Sequence, residues 1–400
     1  MSKTCMLPWL HFFVASTGKI TPCCIYDQPF TSIAESNSPE EIINSPAFKE
    51  LRLKMLNGEE DLGCMKCYNE ERLGMFSDRL RHNDAWKEHT ALIEKTNTDG
   101  SIDDFKLKFL DIRWENTCNL RCRTCAPDLS SRISTDYFKL KWIDNPIKIT
   151  NMDTLYNYII ENIAGVEEFY FVGGEPLLMA NHYGILDALI ANKNFDARLT
   201  YSTNLTVLSY KNKNVLDYWK QLTNLLVMVS LDAMDERAEY LRSGTNWNEL
   251  LANILTVKSV IPHVQLKIAS VFSVYNALHL PDLQQFLLEE GLVTPDQLEI
   301  NVAYGQKFCP RAISPAGKKL VQDKANAFLQ WAKTNNYYSE NLQAQWDRCL
   351  AYLISEDLNL ATEIKSFNAS LDELRNEDLL TAFPEMLDLV PGVGFEPTHL

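Results

Sequence analysis

Between residues 107 and 304 the sequence alternates six short apolar runs with stretches of helical periodicity, and this alternation limits the fold more than any other feature. LKFLDIRWE (107–115), the run 166–172, ARLTYSTN (197–204), LLVMVSLDA (225–233), VQLKIASVF (264–272) and LEINVAY (298–304) have strand character. Between them Leu155, Ile159 and Ile163 recur at helical spacing, as do Trp247, Leu251 and Ile254, while Leu283, Phe286 and Leu287 mark another amphipathic face behind Pro281. Parallel strands need crossovers of about a dozen residues or more, so the pattern implies a parallel sheet. An open doubly wound sheet and a partly closed barrel both fit it. Chemically distinctive residues follow the first four strands in turn, which favours one rim of a barrel around a shared site.

The flanks differ in texture. HFFVASTGKITPCC reads as two short strands joined at a turn, and SPEEIINSPAFKELR as two short helices, each opened by a serine and a proline. This segment has too little apolar material for a large core of its own, so something besides packing is expected to hold it together. Beyond Tyr304 the chain is helical and polar, through 315–333 and 340–354, and PGVGFEPTHL reads as a loose tail. The expected division is a cysteine-rich domain over 1–105, a barrel over 106–305, a helical extension over 306–390 and the tail over 391–400.

Fifty-three acidic against 38 basic residues give a net charge of −15, a surface that repels a phosphate backbone, so nucleic-acid binding is not expected. The most apolar segment, NLLVMVS, falls far short of the roughly 20 residues that span a bilayer. Pro8 and His11 interrupt the apolar run behind Lys3, which argues against a secretory signal. The ten cysteines are too few for a disulfide scaffold yet are grouped: 118, 122 and 125 form one set, 5, 23, 24, 64 and 67 another, and Cys309 and Cys349 stand apart. Such grouping suits metal or cluster ligation by reduced thiols, and a cytoplasmic location is expected.

CNLRCRTC places Cys118, Cys122 and Cys125 within eight residues, directly after the first barrel strand. Three thiolates can hold three corners of an iron–sulfur cubane, whereas a closed structural site brings a fourth ligand from nearby. The next cysteine is Cys309. The second strand ends in Gly173, Gly174 and Glu175, where two glycines permit close approach to the backbone and the glutamate can accept from an ammonium. Ser202 and Asn204 end the third strand, Ser230 and Asp232 the fourth. Arg121 and Arg123 flank the middle cysteine and either offset cluster charge or pair with acids, and Arg113, Glu115 and Asn116 precede the loop.

The CxxxCxxC loop followed by GGEP resembles the signature of the radical S-adenosylmethionine (radical SAM) enzymes. The resemblance implies a partial (β/α)6 TIM-like barrel and a 4Fe-4S cluster on Cys118, Cys122 and Cys125, with S-adenosylmethionine chelating the fourth iron. It further implies that Gly173, Gly174 and Glu175 engage the methionine amino group, that Ser202, Asn204, Ser230 and Asp232 contact the cofactor, and that a flavodoxin or ferredoxin donates the electron. Thr124 stands where the family often has an aromatic residue, and Leu205 where glycine is frequent. The N-terminal segment is similar to the family's SPASM and twitch modules, here ahead of the barrel rather than behind it. That likeness implies a second, auxiliary 4Fe-4S cluster on Cys5, Cys23, Cys64 and Cys67, with Cys24 exchangeable for Cys23. The chemistry implied is reductive cleavage of S-adenosylmethionine to a 5′-deoxyadenosyl radical that abstracts substrate hydrogen, with a peptide or protein as the leading substrate class. A sugar or other small molecule is the alternative substrate, and a non-catalytic zinc- or iron–sulfur-binding structural protein is the alternative of a different kind.

Iron content separates these readings. Anaerobically reconstituted protein is expected to hold two clusters, roughly eight irons per chain. Replacing Cys118, Cys122 and Cys125 together by alanine is expected to leave about half of that iron. Zinc on Cys64 and Cys67 in place of iron would refute the auxiliary assignment.

Overall fold

The computed structural model describes residues 3–33, 38–72, 74 and 76–393. Residues 394–400 of the expected tail, including Gly394 and Pro397, lie outside that set. Strands occur at Phe109–Ile112, Glu168–Phe171, Arg198–Thr203, Asn224–Ser230, Gln265–Phe272 and Leu298–Val302, one to each apolar run, with Asn224 one residue ahead of its run. The architecture is a mostly parallel sheet flanked by helices, with a cysteine-rich N-terminal segment and C-terminal helices, the layout of a partial (β/α) barrel. Among the described residues no helix is long and apolar enough to cross a membrane. By contact density the chain forms two compact units, Met1–Asn116 with Ile147–Thr200 and Gln221–Leu225, and Thr117–Pro146 with Tyr201–Lys220 and Leu226–Leu400.

In the first unit Phe13–Val14 pairs antiparallel with Lys19–Thr21, and its other edge pairs parallel with Phe109–Ile112, with Phe13 opposite Asp111. Phe109–Ile112 in turn pairs parallel with Glu168–Phe171. The N-terminal hairpin thus extends the sheet, because a parallel strand leaves an edge of unpaired backbone groups that a further strand satisfies. Met6, Leu7, Leu10, Trp86 and Phe109 make a small core there, with Cys5 and Cys23 against it. Fully buried Arg52 fastens the helix Pro46–Leu56 to its surroundings, donating to the carbonyls of Pro8 at 2.9 Å, Gly100 at 2.8 Å and Ile43 at 2.5 Å. A guanidinium with its donors so satisfied keeps its charge without an acid beside it.

In the second unit the later parts of Asn224–Ser230, Gln265–Phe272 and Leu298–Val302 pair in parallel, with Leu226 opposite Gln265 and Ile268 opposite Leu298. Burial alternates along each of the first two, so one face is packed fully and the other half-buried. Helices Trp247–Val260 and Leu280–Glu289 cross over between strands, and the long helices Pro315–Thr334, Glu340–Ile354 and Ala361–Arg375 follow. His279, just ahead of Leu280–Glu289, binds Asp282 at 3.2 Å and Glu385 at 2.5 Å. Asp282 also holds Lys324.

Two expectations follow from this packing. Burial lowers the His279 pKa, but its hydrogen bonds to Asp282 and Glu385 outweigh burial and the nearby Arg237, so the folded-state value is raised. A raised histidine stabilises fully below its unfolded pKa of about 6.5, and that contribution is lost as pH rises through the folded value. Urea midpoints should therefore fall as pH rises from about 6.5 through the raised folded-state value, and His279→Gln should flatten that slope. The second expectation concerns the turn carrying Cys64. Asp61 caps the short helix Leu62–Cys64, accepting from the Gly63 amide at 2.9 Å and from the Tyr26 hydroxyl at 2.8 Å. A Cβ on Gly63 would lie 2.2 Å from Cζ of the tyrosine ring so anchored. Gly63→Ala should cost about 1–3 kcal/mol in chemical denaturation, and trimming Tyr26 to valine in the same chain should recover part of the loss.

Candidate functional site

The three-cysteine loop lies in the second unit and is fixed from several directions. Arg121–Cys122 forms a two-residue strand antiparallel to Arg242–Ser243, with Arg242 opposite Cys122. The Cys125 amide turns back to the Cys122 carbonyl at 3.1 Å, and the Leu120 amide approaches the Cys118 sulfur at 3.5 Å. Gly244 lies against this loop at φ +100°, a backbone conformation that side chains other than glycine rarely adopt, so glycine suits that position. Ser130 caps the helix Ser131–Lys139 and also donates to the Leu120 carbonyl, while the Cys118 amide donates to Ser131 Oγ at 3.3 Å.

All three thiols are half-buried. Burial pushes the Cys125 thiol up, and Cys122 and Cys118 push it further, which places the three within electrostatic reach of one another. Burial also raises Cys122, opposed by Arg242, whose Nη1 stands 3.7 Å from its sulfur. Arg242 pairs with Asp232 at 2.8 Å, and Asp232 accepts from the Val271 amide at 2.8 Å. The expected cofactor residue Asp232 is thus also what holds Arg242 beside Cys122. Sequence reading did not single out Arg242; its spacing from the loop carries no local signal.

Asn204 is similarly committed. Its amide donates to Asn119 Oδ1 at 3.0 Å, its carbonyl oxygen accepts from the Thr206 amide and hydroxyl, and Asn119 donates to Thr206 Oγ1 at 2.8 Å. The third-strand end therefore braces the cluster loop. Leu205 between them is fully buried at φ +52°, a left-handed conformation that favours glycine over leucine. Ser202 and Ser230 are half-buried on their strands.

Gly173, Gly174 and Glu175 belong to the first unit. Gly173, at φ +130°, has space for a Cβ only 3.2 Å from the Glu115 carbonyl oxygen. Glu175 is 1% exposed and accepts from the Leu177 amide at 3.1 Å, capping the short helix Pro176–Leu178. A buried carboxylate at such an end is stabilised by the helix amides.

The five N-terminal cysteines, also in the first unit, line one cavity of about 60 Å³ that opens to solvent. Its rim includes Asp78, Arg79, Arg81 and His82, none of which the cysteine spacing foretold. Arg79 grips both Glu71 oxygens at 2.9 and 2.6 Å and donates to the Thr4 carbonyl, while Asn83 brackets Cys5 by donating to Thr4 O and accepting from the Met6 amide, both at 2.8 Å. Burial raises Cys5 to about 12, with Cys67 contributing, and raises Cys23 with Cys24, Cys5 and Cys64 contributing. Burial raises Cys24 to about 12 as well, but its next neighbours are Asp111 and Arg113 rather than the distal cysteines. His82 is lowered to about 4 by burial and so stays neutral, and His11 binds the Phe109 carbonyl at 2.9 Å. Cys309 and Cys349 are buried, and Cys309 contacts the Tyr352 hydroxyl. Among the described residues no group of three or more His, Cys, Asp or Glu side chains is drawn together as ligands of a single metal ion.

Comparison with known proteins agrees with the cysteine patterns. Residues 114–280 match the radical SAM superfamily, and residues 5–68 match SPASM, an iron–sulfur cluster-binding domain. The GTP 3′,8-cyclase of Actinobacillus pleuropneumoniae serotype 5b (strain L20) is 24% identical over 194 residues, 48% of this chain and 52% of that protein. The serotype 7 (strain AP76) enzyme is 24% identical over 195 residues, with the same shares. The chain thus spans about half the length of the curated relatives it matches. Among solved structures, native anSMEcpe with bound AdoMet and Cp18Cys peptide aligns at TM-score 0.39 and 17% identity, over 56% of this chain and 59% of that one. Streptococcus suis SuiB bound to S-adenosylmethionine aligns at TM-score 0.36 and 14% identity, over 72% and 62%. The chain carries a radical SAM superfamily domain preceded by a SPASM iron–sulfur cluster-binding domain.

Proposed function

We propose that this protein is a radical SAM enzyme with one catalytic and one auxiliary 4Fe-4S cluster. The observation that carries the reading is the loop of Cys118, Cys122 and Cys125, three mutually interacting thiols inside the segment that matches the superfamily. The donor chemistry fits: three thiolates leave one iron of a cubane for the amino and carboxylate groups of S-adenosylmethionine. When bound, the cluster supplies one electron to that cofactor, yielding methionine and a 5′-deoxyadenosyl radical that takes hydrogen from the substrate.

The protein's part is to bind and orient. Arg242 places a cation beside Cys122 and offsets thiolate charge, while Asp232 keeps that cation in place. Asn204 and Thr206 hold Asn119 and hence the loop backbone, and Ser202 and Ser230 offer hydroxyls at adjacent strand ends. Glu175 is the acceptor assigned to the methionine ammonium, with Gly173 and Gly174 keeping the approach open.

The auxiliary cluster is assigned to Cys5, Cys23, Cys64 and Cys67. Five thiols around one cavity support it, and the electrostatic coupling of Cys23 to Cys5 and Cys64 favours Cys23 over Cys24. With four thiolates on it, that cluster has no open iron, so electron transfer is the role proposed. A peptide or protein is the proposed substrate, on the likeness of the N-terminal segment to SPASM modules. The match to GTP 3′,8-cyclases favours a small molecule as the second reading. The electron donor is proposed to be a small redox protein, in a reducing compartment where none of the ten cysteines is drawn into a disulfide.

Glu175→Gln tests the reading. It keeps the size of the side chain but removes the charge from the ammonium contact, so S-adenosylmethionine binding should weaken by about five- to thirtyfold, roughly 1–2 kcal/mol. Iron content should stay unchanged. Wild-type affinity in the variant would remove Glu175 from the site, and no cofactor binding by fully clustered wild type would overturn the enzyme reading.

A further inference from the structure

The residues between the cluster-loop cysteines are held by the far end of the chain. Arg123 lies between Cys122 and Cys125, and its side chain is 0% exposed. Its guanidinium donates to Asn368 Oδ1 at 3.1 Å, pairs with Asp372, and pairs with Glu377 at 2.6 Å, contacts 245 to 254 residues away in sequence. It also stacks over the Tyr240 ring, 3.7 Å from its centre, while the Tyr240 hydroxyl donates to Asp372 at 3.1 Å. Arg375, one turn below Asp372, grips the other side of Cys122, donating to the Arg121 carbonyl at 3.0 Å and pairing with Asp136 at 2.8 Å.

The geometry of the helix end makes this grip specific. Helix Ala361–Arg375 stops at Asn376, which takes a left-handed conformation at φ +56°, and the Glu377 amide then folds back to the Asp372 carbonyl at 3.0 Å. That reversal returns the Glu377 carboxylate to Arg123, so helix and turn supply two acids to one buried cation. A desolvated charge is costly unless it is paired or fully hydrogen-bonded, and this pairing is lost if either side moves. The superfamily match ends at residue 280, so this helix lies outside it.

We propose that the C-terminal helix Ala361–Arg375 and its closing turn are a clamp that sets the positions of Cys122 and Cys125, acting through Arg123 and Arg375. Arg123, Asp372, Arg375 and Glu377 are positioning residues; none touches a sulfur. The proposal rests on reading the loop as a cluster site, and the two are separable by experiment.

Full-length protein, reconstituted anaerobically, is challenged with a ferrous chelator and iodoacetamide, and alkylation of each cysteine is followed by mass spectrometry. Glu377→Gln removes one charged partner without changing shape, and should speed alkylation of Cys122 and Cys125 roughly tenfold while leaving Cys64 and Cys67 at the wild-type rate. Arg123→Ala should do the same or more, and Arg123→Lys should fall between it and wild type. If Arg123→Ala does not fold, Glu377→Gln decides. Wild-type rates at Cys122 and Cys125 in Glu377→Gln would overturn the clamp, as would equal acceleration at Cys64 and Cys67, which marks general loosening. The same alkylation series on the iron-free 400-residue chain reads the clamp independently of the cluster: a wild type that takes up no iron on the loop after anaerobic reconstitution refutes the cluster reading, while acceleration confined to Cys122 and Cys125 in the iron-free chain still supports the clamp.

Discussion

Gathering thiols in a protein interior works against itself. Burial disfavours each thiolate, and every neighbouring thiol disfavours it further, as the upward shifts at Cys5, Cys23 and Cys125 show. A bound metal centre reverses that balance, because a thiolate on a cation is stable where a free one is not. Until then the thiols stay protonated, and the surrounding structure has to hold them near one another without a shared cation. Much of the detailed structure around both cysteine groups answers that requirement: Asp61 capping the Cys64 turn, Asn83 bracketing Cys5, Asn204 and Thr206 holding Asn119.

Arginines carry a second share of this work, in three distinct ways. Arg242 faces a cysteine sulfur directly and is held there by Asp232. Arg79 holds the segment carrying Cys5 by bridging the Thr4 carbonyl and Glu71. Arg123 sits in the cluster loop itself, yet its charge is taken up by Asp372 and Glu377. Guanidinium suits all three positions because its planar donors can reach a carboxylate and a second acceptor at once.

How much of this was legible in the sequence depended on the range of the interaction. The six strands were readable because alternation and helical spacing are local properties, and each strand falls within its apolar run except that Asn224 starts one residue ahead of its own. The short helices of the N-terminal segment were readable from their caps, and Ser38 does accept from the Glu41 amide. The cysteine sets and GGEP stood out through spacing alone. Arg242, Asn83, Arg79 and the acids around Arg123 did not, since their partners lie many residues away and nothing local marks a residue as half of a distant pair.

Sequence by itself determined the order of elements, the grouping of thiols and the chemical type of each donor, all fixed by covalent order and by periodicities of two or 3.6 residues. Only the tertiary structure decided which polar groups are committed. It assigned Asp232 to Arg242, Asn204 to Asn119, and Arg123 to a helix some 250 residues downstream. The reason is that a buried charge must find a partner in space, and where that partner lies is set by packing rather than by the local chain.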